Sequence, residues 1–167
     1  NLYSMHTNFD IAYDGLNDYF MEVMGFENSK ILDVTNSETL YKLAVYVPET
    51  HENILREALG EAGAGYIGNY SNCTFNISGI GTFKPEENTN PFIGTIGEIE
   101  KVKEVKIETS VQQSILHKTI DKMIKAHPYE EVAYDVFELK NEGRKEGLGR
   151  IADLEKEMTL EELATKI

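Results

Sequence analysis

The chain has 167 residues, of which 41% are hydrophobic and 27% are charged, a balance typical of a globular protein with one or two domains. Its 29 acidic and 16 basic residues give a formal net charge of -13, which opposes binding to nucleic-acid phosphates or to an anionic membrane surface. No apolar run approaches the roughly 20 residues of a membrane helix, and the single cysteine, Cys73, excludes an internal disulfide, so we expect a cytoplasmic protein without nucleic-acid or membrane partners.

The first predicted element is a helix between Gly15 and Gly25, where apolar side chains recur at helical spacing. Before it, the segment His6-Thr-Asn8-Phe-Asp10 places an imidazole, an amide and a carboxylate in a loop or turn that leads into the helix. Such nitrogen and oxygen ligands suit zinc, manganese or iron, and one carboxylate can bridge two metals. His6 and Asp10 are therefore candidate metal ligands. The remaining ligands must come from elsewhere, because a catalytic zinc needs about three protein ligands.

A self-contained pattern runs from Tyr41 to Lys140, after a polar stretch at 28–40 that we interpret as a connection. Its predicted elements are a strand at 43–47, a helix from 48 that glycines end, a strand or hairpin arm at 66–83, a loop at 84–97, a strand at 98–111, a helix at 114–126 and a strand at 132–139. The order strand, helix, strand, strand, helix, strand predicts an α+β domain of the ferredoxin-like kind, with an antiparallel sheet backed by two helices.

The last segment predicts an exit from this domain. Residues 141–149 are charged and glycine-rich and are interpreted as a linker, and a further helix begins at Thr159. Because the chain starts at Asn1 and stops at Ile167 inside that helix, we expect it to be a piece of a longer protein. The predicted division is 1–40, 41–140 and 141–167.

Two glycine patterns resemble phosphate-binding loops but have other predicted roles. Gly63-Ala-Gly65-Tyr-Ile-Gly68 matches the dinucleotide fingerprint in letters, yet it closes a helix and opens a strand, which is the reverse of the required order. A helix C-cap with a tight turn is the favoured interpretation. Gly79-Ile-Gly81 lacks the third glycine and indicates a close backbone approach or a bulge.

The other histidines also have structural interpretations. His127-Pro128-Tyr129-Glu130-Glu131 gathers an imidazole and two carboxylates after a helix, so a metal or acid-base role is conceivable. Helix-end chemistry is the favoured explanation for this histidine. His51 and His117 lie among charged residues on predicted helix surfaces, where we expect them to be solvated.

Motifs in all three segments together carry a resemblance to a known family. Those of the first segment are Tyr3-Ser-Met-His6-Thr-Asn8-Phe-Asp10, Asp14-Gly-Leu-Asn17 and Met24-Gly-Phe26. Those of the middle segment are Val47-Pro48, Glu61-Ala-Gly63-Ala-Gly65, Gly79-Ile-Gly81-Thr-Phe83 and the His127 to Glu131 motif. Those of the last are Gly147-Leu-Gly149-Arg150-Ile151 and Met158-Thr159-Leu-Glu161. The set resembles the Nif-three-like family, also labelled GTP cyclohydrolase type-two homologs, whose long bacterial members carry an insert domain.

The resemblance implies an α/β core that binds two divalent ions per full-length chain, interrupted by an insert similar to the PII and CutA folds. Asp10 would be a metal ligand of the bridging kind, and His6 would be a ligand or support one. The family's other ligands, a histidine pair earlier and a histidine-glutamate pair later, are absent here, so we expect this piece to hold no metal tightly. The insert would be trimeric and the full-length protein hexameric.

Two functions from different classes follow. The first is a divalent-metal-dependent hydrolase of unknown substrate, with the insert regulating access or assembly. The second is a non-catalytic module, built on the insert, that forms homo-oligomers or senses a small molecule. The sequence leaves both open, because fold and site class do not fix a substrate.

Overall fold

The computed structural model describes residues 2–167, which form two compact units. One unit is built from both ends of the chain, up to Glu38 and from Glu142 onward, and the other is Thr39–Asn141. In chain order the elements are α1 (Thr7–Ile11), α2 (Leu16–Val23), β1 (Lys30–Ser37), β2 (Leu40–Pro48), a 3-10 turn (Glu49–His51), α3 (Glu52–Ala62), β3 (Thr74–Phe83), β4 (Glu100–Gln112), a second 3-10 turn (Gln113–Ile115), α4 (Leu116–Ala126), β5 (Tyr134–Glu138), β6 (Lys145–Ile151) and α5 (Leu160–Lys166). None of the helices within residues 2–167 is long and apolar enough to cross a membrane.

The unit formed by the chain ends contains a two-stranded antiparallel ribbon of β1 and β6. The interpretation of 28–40 as a connection and of 141–149 as a linker was therefore wrong, since each supplies a strand. β1 is almost entirely exposed and the burial of β6 does not alternate, so neither strand shows the pattern that marks a half-buried strand. The glycines of 141–149 had also suggested a linker, but Gly147 serves the pairing of the strands. A Cβ at Gly147 would collide with the Asp33 carbonyl oxygen, so glycine permits the close approach.

Large apolar side chains of this unit are open to solvent. Within its described residues only two glycines are buried, and none of the hydrophobic core residues belongs to it. Examples are Tyr13, Tyr19 and Leu32, with 61%, 62% and 64% of their surface exposed. Exposed apolar surface on this scale marks a face that another element or partner covers.

The unit Thr39–Asn141 is a four-stranded antiparallel sheet in the order β3-β4-β2-β5, backed by α3 and α4. Its fully buried core comes from alternate positions of β2 and β4 and from the two helices. The core residues are Leu43, Val45, Val47, Leu55, Leu59, Ala64, Val105, Ile107, Val111 and Met123. The mixed α and β architecture with an antiparallel sheet agrees with the predicted fold class.

The opposite face of the same sheet carries no helix. The pairing register places Phe75, Ile77 and Phe83 of β3 on this face, beside Glu104 of β4 and Tyr46 of β2. Phe75 is 66% exposed and Ile77 45%. This open face and the loop that follows β3 form the surroundings of the cavity described below.

The glycine triplet after α3 acts as a helix stop, as predicted. Gly63 is the C-cap in the left-handed region at φ 99°, and its N–H bonds back to Gly60. Gly65, at φ 78°, lies so close to the Cys73 backbone that a Cβ would not fit. The predicted arm at 66–83 is shorter than expected, because β3 begins only at Thr74 and residues before it make one isolated bridge.

Candidate functional site

The His6 to Asp10 segment is a short helix rather than a loop. His6 is the N-cap of α1, and Asp10 lies within the helix. His6 has a non-helical backbone, at φ -125° and ψ -118°, so the two candidate ligands stand one at the start of α1 and one within it. The reason for the helix is local: the Phe9 N–H bonds to the His6 carbonyl at 2.8 Å, and the Asn8 amide oxygen accepts the His6 N–H at 2.9 Å.

Both candidate ligands keep an atom available for a metal. The His6 Nδ1 lies 2.9 Å from the Thr7 hydroxyl, while its Nε2 has no hydrogen-bond partner among the described residues. The half-buried Asp10 carboxylate also has no hydrogen bond or ion pair within residues 2–167. The Asp10 carbonyl, in contrast, accepts a hydrogen bond from the Asn17 side chain at 2.8 Å, which ties α1 to α2.

A charged pair fixes α2 on the β-ribbon of the same unit. The Arg150 guanidinium, whose side chain is only 3% exposed, donates to both carboxylate oxygens of Asp18, with Nη2 2.7 Å from Oδ2. Arg150 also donates to the carbonyls of Gly147 and Gly149 at 2.9 and 2.8 Å. The paired Arg150 lowers the pKa of the Asp18 carboxyl, so the pair stays ionised at neutral pH.

The donor set of α1 fits a divalent metal but does not complete a site. One imidazole nitrogen and one carboxylate are suitable ligands for zinc, manganese or iron. Within residues 2–167, however, no group of three or more histidine, cysteine, aspartate or glutamate side chains is placed to hold a metal ion. His6 and Asp10 can therefore act only as part of a larger ligand set.

His127 has a structural role. This residue is the C-cap of α4, and its ring is buried. The ring Nε2 donates a hydrogen bond to the Tyr46 carbonyl oxygen at 2.9 Å. Nδ1 accepts the Tyr129 N–H at 3.1 Å. Both ring nitrogens are used, so the neutral tautomer is fixed and neither nitrogen is left for a metal. Burial lowers the pKa of His127, which agrees with a neutral ring.

A cavity of about 470 Å³ opens at one end of the open sheet face. Such a volume is typical of pockets for small organic molecules. The floor is formed by β2, β3 and β4, and the loop at 84–97 with the segment at 129–133 forms its walls. The lining residues are Tyr46, Gly81, Thr82, Phe83, Pro85, Thr89, Pro91, Phe92, Ile93, Glu104, Tyr129, Glu130, Glu131 and Ala133.

Aromatic rings pack edge to face around this cavity. The Tyr129 ring lies 5.6 Å from Phe83 and 6.3 Å from Phe92, centroid to centroid. His51 packs edge-on against Phe92 at 5.2 Å, so this histidine is half-buried and not simply solvated as predicted. His117 is exposed, as expected. The rings form a semi-rigid wall with preferred aromatic geometry.

Carboxylates supply the polar groups of the cavity. The Tyr129 hydroxyl donates to Glu104 at 2.9 Å, and burial together with this bond raises the pKa of Tyr129 well above its usual range. Both oxygens of Glu130 accept the Asn90 N–H, at 3.0 and 3.2 Å, which fastens the 84–97 loop. A Cβ at Gly81 would collide with the Glu104 carboxylate. The predicted close backbone approach or bulge is not found at this glycine, because its close neighbour is a side chain and β3 pairs regularly with β4 there.

Sequence reasoning did not identify the cavity. The segment 84–97 is a loop, as predicted, but Pro85 is buried and Phe92 and Ile93 line the pocket. The usable signal in the sequence was the aromatic residues near Gly81 and His127, together with the apolar pair Phe92-Ile93 directly after Pro91. Only the fold shows that these segments meet.

Comparison with known proteins identifies the family. A family model described as Duf34/NIF3 (NGG1p interacting factor 3) matches residues 1–167. A GTP cyclohydrolase 1 type 2 homolog of Halalkalibacterium halodurans is 55% identical over 166 residues, which cover 99% of this chain and 45% of that protein. A homolog of the same name from Bacillus subtilis is 48% identical over 98% of this chain and 44% of its own length.

A solved structure agrees. The structure of a Bacillus cereus protein related to NIF3 superposes with a TM-score of 0.87 at 48% identity, over 96% of this chain and 42% of that one. The chain thus spans less than half the length of the relatives it matches. The family model covers the whole sequence, and the chain belongs to the Duf34/NIF3 family.

Proposed function

We propose that this chain is part of a divalent-metal-dependent hydrolase in which Asp10 and His6 are metal ligands. The observation that carries the proposal is the placement of an imidazole at the N-cap of α1 and of a carboxylate four residues later within the helix, each with an atom that no described residue occupies. The printed name of the relatives, GTP cyclohydrolase 1 type 2 homolog, points to the same reaction class.

Two further facts support the proposal that this chain carries only part of the metal-binding core. The relatives are more than twice as long as this chain, and the unit built from its ends leaves large apolar side chains uncovered. We infer that the rest of the protein covers this surface and supplies the missing ligands of a two-metal site. A metal pair supplies a nucleophile at neutral pH by lowering the pKa of bound water, and it clamps the oxygens of the reacting group.

Other residues of this chain would position the candidate ligand Asp10. The Asn17 side chain holds the Asp10 carbonyl at 2.8 Å and so fixes the turn of helix that presents the carboxylate. Arg150 and Asp18 anchor the following helix to β6. We propose hydrolysis of a nucleotide or a phosphate ester. None of these groups recognises a nucleotide base, so the proposal does not name the substrate.

The test is a hydrolysis screen of the whole protein with nucleotides and phosphate esters, in zinc, manganese or iron. We expect a metal-dependent activity that Asp10→Asn abolishes. Asp14→Asn is the matched control, since Asp14 is an exposed carboxylate at φ 57° where asparagine is equally tolerated. Activity that persists undiminished in Asp10→Asn, or that needs no metal, would contradict the proposal.

We also propose that Thr39–Asn141 is the ferredoxin-like insert of the PII/CutA kind, acting in self-assembly or in sensing a small molecule. The strand order β3-β4-β2-β5, with two helices on one face, is the support for this fold assignment. Exposed Phe75 and Ile77 on the opposite face support self-assembly, which we propose to be trimeric for this unit and hexameric for the whole protein.

Light scattering of the 167-residue chain tests the assembly. We expect a multimer that Phe75→Glu dissociates, because the substitution puts a charge on the open sheet face. Ser78→Glu is the control on the same strand, since Ser78 is exposed and pairs with Val105, whose side chain belongs to the opposite, helix-backed face. A monomer at tens of micromolar would count against assembly through this face.

A further inference from the structure

We propose that the cavity beside Tyr129 binds a small organic cation, an ammonium or guanidinium group attached to an apolar or aromatic body. The inference rests on the proposal that the Thr39–Asn141 unit binds a small molecule, and it adds the class of that molecule. It is independent of the metal-ligand proposal for Asp10.

The charges of the lining exclude an anionic ligand. Three carboxylates, Glu104, Glu130 and Glu131, face the cavity and no lysine or arginine lines it. Two lysines close to lining residues are already paired with carboxylates: Lys106, 5.8 Å from the Tyr46 ring, with Glu108 at 2.6 Å, and Lys84 with Glu86 at 3.5 Å. A group of negative charge would meet only like charge here, whereas a cation would be attracted.

The walls select an organic cation over a metal ion. Tyr46, Phe83, Phe92 and Tyr129 supply aromatic faces and edges around the cavity, a lining that attracts organic ammonium groups through the ring quadrupole. The carboxylates are not gathered into a group that could hold a metal ion anywhere in the described chain. Prolines and an isoleucine provide apolar surface for the body of the ligand.

Glu104 is the expected partner of the positive group. Its Oε1 accepts the Tyr129 hydroxyl at 2.9 Å, which fixes the carboxylate at the cavity floor and leaves acceptor positions on the same group. Gly81 has no side chain, so the Glu104 carboxylate can lie directly beside it without a steric clash. Glu130 serves instead to hold the loop through Asn90.

The experiment compares three probes of the same shape on the 167-residue chain: phenethylammonium, neutral 2-phenylethanol and anionic 3-phenylpropionate. Calorimetry and ligand-observed NMR measure the affinities. We expect the cation to bind at least about ten-fold more tightly than the alcohol, and the anion not to bind. Glu104→Gln should weaken the cation about five-fold or more while leaving the alcohol unchanged, since it removes the charge and keeps an acceptor.

Aromatic and charge controls complete the test. Phe92→Ala, at a side chain already 51% exposed, should weaken the cation about three-fold or more without unfolding the chain. Tyr70→Ala and Glu138→Gln, which lie outside the lining, should leave binding unchanged. Equal binding of alcohol and cation, or preference for the anion, overturns the cationic class while keeping a ligand-binding unit. No binding of any probe at about 10 mM overturns both.

Discussion

The His127 imidazole donates a hydrogen bond from Nε2 to the Tyr46 carbonyl oxygen at 2.9 Å. This bond joins the end of α4 to β2, an inner strand of the sheet, across 81 positions of the chain. The second ring nitrogen accepts the Tyr129 N–H and so aims the segment that walls the cavity. One buried side chain therefore couples the packing of the sheet to the shape of the pocket.

His127→Phe should destabilise the Thr39–Asn141 unit. The substitution keeps an aromatic volume but leaves the Tyr46 carbonyl and the Tyr129 N–H without their partner, at a cost of about 1–3 kcal/mol. Urea unfolding followed by circular dichroism measures the change. His117→Phe is the matched control at an exposed position and should shift the midpoint little. A His127→Phe protein as stable as the parent would contradict the structural role.

The stability of the same unit should fall on mild acidification. Burial lowers the pKa of His127 below that of a free imidazole, an effect that the Tyr46 bond and the Glu104 charge oppose and that the His51 charge adds to. The unfolded chain therefore takes up a proton first as the pH drops. The contribution of the neutral His127 ring to the stability of the folded unit is complete above about pH 6.5, and it is lost as the pH falls through the pKa of His127 in the folded state. Unfolding midpoints between about pH 7.5 and about pH 5 should show a decline that is smaller in His127→Phe.

Arg150→Met should loosen the ribbon of β1 and β6. The change removes the bidentate bond to Asp18 and two bonds to carbonyls of the same strand, and hydrogen bonds to charged groups contribute about 1.5–3 kcal/mol each. Amide hydrogen exchange in residues 145–151 should become faster. Arg144→Met is the control, since its ion pairs, at 3.7 Å, are longer and more exposed. Unchanged exchange in Arg150→Met would contradict the anchoring role.

The sequence predicted the self-supporting unit well and the ribbon poorly. Val45 and Ile107 lie in alternating or continuous apolar runs, so the strands and their helices follow from local periodicity. The strands β1 and β6 are polar and pair across more than 100 residues, a relationship that no local pattern encodes. The same limit applies to the cavity, where loop residues and strand residues meet only after folding.

The candidate metal ligands show the opposite balance. The residue types at His6 and Asp10 indicate metal chemistry without any structure, whereas the helix that begins after His6 and contains Asp10 is seen only in the fold. Gly81 is similar: its pattern indicated a close backbone approach or a bulge, whereas the fold reveals the Glu104 carboxylate as the neighbour. The chemistry of a residue can be inferred from its own position in the sequence, whereas the residue that it contacts is known only from the fold.

Glu130→Gln should free the loop at 84–97. The carboxylate accepts the Asn90 N–H with both oxygens, and the neutral amide offers one weaker acceptor. Hydrogen exchange at Asn90 and its neighbours should rise several-fold, with the sheet unaffected. Glu87→Gln, in the same loop and without a hydrogen bond among described residues, is the control. Equal protection in both variants would show that other contacts hold the loop.

Metal content tests the central claim most directly. We measure zinc, manganese and iron per chain in the whole protein and in its Asp10→Asn and Asp14→Asn variants, after dialysis. The account predicts about two ions per chain in the parent and in Asp14→Asn, and the loss of at least one in Asp10→Asn, because a bridging carboxylate would be removed. A metal content in Asp10→Asn equal to that of the parent would contradict the assignment of Asp10 as a ligand.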